Sequence, residues 1–69
     1  MTANEALNKY LNSLDAKEKL AKKRDIRSVC RISRFVLGNW CQGRTQIPWS
    51  LLDKITEAVG ENIFAEFSK

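Results

Sequence analysis

The chain has 69 residues, with twelve Lys or Arg against eight Asp or Glu, a net charge of +4 and no histidine. That length admits one small domain, which buries only about 60% of its unfolded surface and depends on tight helix packing or self-association. No apolar run approaches the ~20 residues of a membrane span and no signal-peptide core opens the chain, so the expectation is an intracellular protein.

The elements are helical from end to end, since no segment sustains the alternation of a strand. Thr2 followed by Glu5 has the spacing of a capping box, and Leu7, Leu11 and Leu14 recur behind it, which predicts a first helix over residues 3–13 with Tyr10 at its margin. Residues 15–31 are mixed. Ala16, Leu20, Ile26, Val29 and Cys30 share an arc with Lys19, Lys22, Lys23 and Arg27. Either one helix runs over 16–30 with basic side chains snorkelling past an apolar face, or it breaks near Arg24 and Asp25; the reading adopted is one helix.

Ser33 is placed to cap a third helix over about 33–42, ended by Gly43. At 100° per residue, Val36, Leu37, Trp40 and Cys41 fall on one face, for the core, and Arg34, Phe35, Gly38, Asn39 and Gln42 on the other. Pro48 suits the first turn of a fourth helix, whose stripe of Leu51, Leu52, Ile55, Ala58 and Val59 ends at Gly60. Ile63, Phe64 and Phe67 then form a last short helix or turn over the core, or cover a partner. Cys30 and Cys41 read as reduced thiols acting as small hydrophobes; a disulfide would need an oxidising compartment, and with no histidine no zinc site completes within the chain.

Charge is unevenly spread. Residues 17–45 hold nine cations against Glu18 and Asp25, a net of +7, while 1–16 and 46–69 are slightly acidic at −1 and −2. Basic side chains often do no more than solvate a helix, yet this asymmetry favours a polyanionic partner.

Taken together, Ile26, Cys30, Ile32, Ser33, Leu37, Trp40, Gly43 and Pro48, followed by the LLDKITEAVG run, resemble the Cro and phage-repressor (lambda-repressor-like) helix-turn-helix DNA-binding family. The resemblance covers about residues 23–60. It implies an all-α, compact bundle of four or five helices forming one domain over 1–69, with the motif at about 23–43, a supporting helix at about 48–60 and a C-terminal segment at 61–69. It further implies binding of double-stranded operator DNA, usually as a dimer, with the helix after Ser33 in the major groove. Three positions depart from the pattern. Arg31 stands where glycine is common, Arg27 where a small residue lets two helices approach, and Gly38 interrupts the reading helix; the loop before Pro48 is one residue longer than is common.

On that reading Ser33, Arg34, Phe35, Gly38, Asn39 and Gln42 face base edges. Arg34 either forks onto guanine or clamps a phosphate; Asn39 bonds adenine, and Gln42 a base edge or phosphate, unless they are solvated surface. Phe35 either meets a thymine methyl or folds sideways against Arg31 or a neighbouring helix. Gly38 either lets the helix approach the groove floor or relieves crowding against the core. Lys23, Arg24, Arg31, Arg44 and Thr45 are the expected phosphate contacts, which fix register without reading sequence, and Lys17, Lys19 and Lys22 supply long-range steering. Trp40 belongs to the core, and Trp49 with Ile63, Phe64 and Phe67 is the candidate homodimer surface.

With no histidine, acid–base pair or phosphate-cradling glycine loop, catalysis is not expected. Neither is a metal, a cofactor, a small-molecule ligand or a membrane partner. The expected setting is a cytoplasmic, nucleoid-associated transcriptional regulator. The competing reading is a small helical protein-interaction module, antitoxin-like or a phage accessory protein, whose basic stretch serves solubility; an RNA-binding reading lacks the aromatic platform on a sheet.

Overall fold

The computed structural model describes residues 2–64. Among them it has four helices and no strand: α1 (Ala3–Asn12), α2 (Ala16–Cys30), α3 (Arg34–Cys41) and α4 (Trp49–Val59). The fifth helix allowed by the resemblance does not occur among these residues.

Each boundary has a local cause. Thr2 Oγ1 accepts the Glu5 N–H at 3.1 Å while Glu5 Oε1 accepts the Thr2 N–H at 2.8 Å, so the capping box opens α1 as expected. Asp15 opens α2 by accepting the Glu18 N–H at 2.8 Å. That helix runs unbroken past Arg24 and Asp25. Ser33 Oγ caps α3 through the Val36 N–H at 3.2 Å. Pro48 lies just before α4 rather than within its first turn, and Gly60, at φ 84°, ends α4 in the left-handed conformation that a side chain disfavours.

The helices close around Leu7, Leu11, Ile26, Leu37 and Ile55, all fully buried, with Trp40, Ile47, Leu52 and Val59 around them. The Leu stripe of α1 and the apolar stripe of α4 are thus core, as their period requires. The main helix packing is α2 against α4. A radius of gyration of 10.8 Å is close to the ~11 Å of a compact chain this long.

α2 differs from its sequence reading in what it buries. Ile26 and Cys30 are buried, but Ala16 is exposed, Leu20 is 69% exposed and Val29 lies outside the core. The positions one and two turns before Ile26 on its own face belong to Lys19, Lys22 and Lys23, all half-buried. Their stems line the interior side and their heads reach out: Lys19 Nζ donates to Asn12 Oδ1 at 2.8 Å, and Lys22 Nζ to the Val59 carbonyl at 3.5 Å, at the end of α4. Leu20 is rotated away from that side. The snorkelling arrangement holds, and it places Leu20 outside.

The residues beyond α4 also depart from expectation. Phe64 is only 4% exposed and belongs to the core, so it is not part of a dimer surface. Asn62 Oδ1 accepts the Phe64 N–H at 3.1 Å and turns the chain back over the helices. Ile63 is half-buried against the same core, and Phe67 lies outside the described residues.

One polar side chain ties the chain's two halves together. Asn4, on the buried face of α1, donates from Nδ2 to the Trp40 carbonyl at 3.0 Å and to the Thr45 carbonyl at 2.7 Å. Its Oδ1 accepts the Ile47 N–H at 3.4 Å. The connection from α3 to α4 is thereby fastened to α1 across more than 35 residues of sequence. Leaving such buried groups without partners costs about 1–3 kcal/mol each. Asn4→Ala is therefore expected to destabilise the chain by roughly 2–4 kcal/mol in urea unfolding. Asn4→Asp, which turns two donors into an acceptor facing carbonyl oxygens, should cost at least as much; an unchanged midpoint for both would show that the clamp is dispensable.

Candidate nucleic-acid interface

Arg31 sets how α2 hands over to α3. It adopts φ 56°, ψ 47°, the one non-glycine residue of positive φ among the described residues, and the Ile32 N–H donates to the Arg27 carbonyl at 3.1 Å. This is the six-to-one bond of a Schellman ending, built on a residue with a Cβ at a cost of about 1–2 kcal/mol. The turn out of α2 is therefore left-handed at an arginine, a position at which glycine would carry no steric cost. Three residues, Arg31, Ile32 and Ser33, separate the two helices.

From Ser33 the helix has two faces. Leu37 and Trp40 are buried, with Val36 and Cys41 half-buried against the core. Arg34 and Gln42 are exposed, and Gly38 and Asn39 are half-exposed. Phe35 is 75% exposed, so its ring does not fold against Arg31 or a neighbouring helix. A Cβ built on Gly38 would meet no atom within 4 Å, so crowding against the core is not the reason for glycine there.

The remaining candidates lie around this helix. Arg31 is exposed in the turn before it and Arg24 on α2; Arg44 and Thr45 are exposed in the loop after it, where the carbonyl of Thr45 is held by Asn4. Gly43, at φ 75°, makes the reversal into that loop. Lys23 is one of the three inward lysines, and its charge acts on the Cys41 thiol. Burial pushes both thiols up, Cys41 against the opposing pull of Lys23 and Lys19 and Cys30 against that of Lys54, so both stay protonated as small hydrophobes.

Electrostatically the region is one-signed. Between Asp25 and Asp53 the chain contains no carboxylate and four arginines, at 27, 31, 34 and 44. Among the described residues the side chains of Arg31, Arg34 and Arg44 make no hydrogen bond or ion pair with the rest of the chain. The first turn of α3 likewise carries no acid, so Arg34 adds to the positive end of the helix dipole.

Asn4 is a positioning residue that the apolar pattern of α1 does not single out. Its signal was there: it lies three residues before Leu7 on the apolar face of α1, where an amide needs partners. Comparison with protein-family models, with curated proteins and with solved structures finds no match.

Two substitutions test the backbone geometry. Gly38→Ala should stabilise the fold by about 0.5–1 kcal/mol, because a helical position with open space gains from losing glycine. Arg31→Gly should also stabilise, by up to about 1 kcal/mol, by relieving the left-handed conformation. Thermal melting would register each as a rise of a few degrees; a fall would mean that the Arg31 side chain or the Gly38 site makes a contact absent here.

Proposed function

We propose that this chain is a sequence-specific double-stranded DNA-binding protein, a small phage- or prophage-type transcriptional regulator. It uses α2 and α3 as a lambda-repressor-like helix-turn-helix and reads the major groove with α3. One observation carries the reading: an anchored helix presents Arg34, an exposed Phe35 and an open Gly38 to solvent, within a stretch of chain that has arginines and no carboxylate.

The chemistry of each position follows from what a major groove offers. Arg34, in the first turn, forks onto guanine O6 and N7, and Phe35 supplies an apolar surface for the methyl of thymine. Gly38, one turn beyond Phe35, lets the helix backbone come close to the base edges, and Asn39 and Gln42 add amides for adenine or a phosphate. Ser33 stands at the capped end. Lys23, Arg24, Arg31, Arg44 and Thr45 hold the phosphates on either side and fix the register.

Binding to random duplex DNA should weaken by orders of magnitude between about 50 and about 200 mM salt, as several phosphates release counterions. Sites selected from a random library should share a short motif that Arg34→Ala relaxes at one position, at about 1–3 kcal/mol of discrimination. Arg44→Ala should weaken all sequences about equally. Gly38→Ala separates reading from folding, because it should raise stability and lower affinity together. Duplex binding that stays undetectable at about 50 mM salt would remove this function. It would leave the interaction-module reading, which the exposed Phe35 and Trp49 favour.

A further inference from the structure

α2 turns one face away from the core, and the Leu20 it carries there has no use in the packing or in the reading of DNA by α3. At about 100° per residue, Lys17, Leu20, Ala21, Arg24 and Arg27 fall within an arc of about 120° centred nearly opposite the buried Ile26. Together they line an open groove of about 400 Å³. Leu20, 69% exposed, has Lys17 one turn before it and Arg24 one turn after.

The charge of this groove is uncompensated. The positions three and four residues from Lys17, Arg24 and Arg27 hold no carboxylate, whereas both acids of α2, Glu18 and Asp25, stand one turn from Lys22 on the flank of the helix. Among the described residues the side chains of Lys17, Arg24 and Arg27 make no hydrogen bond or ion pair with the rest of the chain. Three cations thus surround one apolar side chain.

That pairing of chemistries narrows the occupant, which the uncharged cleft beside Trp49 does not. A phosphate backbone satisfies the cations but gives Leu20 no apolar surface to meet, and an anionic lipid surface takes a stripe of large apolar residues where this face has one. A second copy meeting it through the same groove would bring cations to cations. An acidic peptide supplies both parts: carboxylates for the guanidinium forks and the ammonium, and one large apolar side chain for Leu20 and Ala21. We infer that α2 is a docking site for an acidic, amphipathic helical segment of another protein. The groove runs about 15 Å from Lys17 to Arg27, which sets that segment at about ten residues. This inference does not rest on DNA binding, in which Leu20 has no part; the groove shares Arg24 with the proposed phosphate contacts and Lys17 with the steering charges.

Fluorescence anisotropy on the whole chain tests it, with a labelled alanine-rich helical peptide that carries glutamates one turn to either side of a single leucine. Leu20→Ala removes the anchor and Lys17→Glu reverses one charge. Both positions are exposed, and a glutamate near the start of α2 suits the helix dipole, so circular dichroism and melting should match the parent chain. The expected result is saturable binding to the parent chain below about 1 mM, weakened about tenfold by Leu20→Ala and at least about fivefold by Lys17→Glu. Replacing the peptide's leucine with serine should cost as much as Leu20→Ala does, and duplex DNA binding, whatever its strength, should be equal in the parent chain and Leu20→Ala. Peptide binding that is absent to about 1 mM, or that Leu20→Ala leaves unchanged, overturns the docking site. So does a dependence on Leu20 that emerges instead with duplex DNA, with vesicles of phosphatidylcholine and phosphatidylserine, or in self-association of the chain.

Discussion

The polar clamp at Asn4 is the constraint on which the rest of the molecule depends. A chain this short has few buried residues with which to specify one arrangement, and apolar contacts alone tolerate many registers. An amide that must find two acceptors and a donor inside the protein tolerates few. By tying the Trp40 and Thr45 carbonyls and the Ile47 N–H to the first turn of α1, it fixes where α3 ends and how the chain reaches Pro48. The outward face of α3 and the cleft beside Trp49 are downstream of that choice. The outward face of α3 is set by the burial of Trp40, and the cleft beside Trp49 is walled by Asn4 and Ile47.

A second theme is the economy with which α2 handles charge. Three lysines occupy the positions where a longer protein would place leucines, yet the helix stays continuous. Their methylene stems cover the interior side and their ammonium groups emerge at the edges, one of them on the C-terminal carbonyl of α4, where a cation is favoured. The arrangement spends Lys19, Lys22 and Lys23 on packing along α2, with Arg27 half-buried like them, while Arg24, Arg31, Arg34 and Arg44 are exposed. Positive charge is therefore not spread evenly over the helix. Between Asp25 and Asp53 the arginines face no carboxylate along the chain, and that stretch contains the candidate interface.

The turn itself carries strain. Arg31 accepts a left-handed conformation in which glycine would be more comfortable. Strained residues persist where the surroundings over-determine them, and here the Ile32 N–H bond to the Arg27 carbonyl holds the turn closed. Gly38, in an uncrowded helical position, is a second place where the chain forgoes stability that another residue would supply.

Much of the architecture is legible in residue order alone, because local signals act over three or four residues. The Thr2–Glu5 box, the Ser33 cap, the leucine period of α1, the stripe of α4 and the left-handed end at Gly60 follow from hydrogen-bond reach and helix geometry, whereas an arginine in a left-handed turn at position 31 carries no such local signal. The two faces of α3 are equally local. Other features depend on which helices meet, and no local period carries that information. Leu20 reads as core on a helical wheel, but α2 turns Ile26 inward, sends Lys22 to the end of α4 and Lys19 to Asn12 of α1, and leaves Leu20 in water. Phe64 reads as a partner's contact until the last turn folds it under. Asn4 reads as one more polar residue until partners from positions 40, 45 and 47 arrive beside it. The helices, most of their caps and the charge they carry follow from residue order over three or four positions; which apolar residues are hidden follows from packing, because burial depends on neighbours that are distant along the chain.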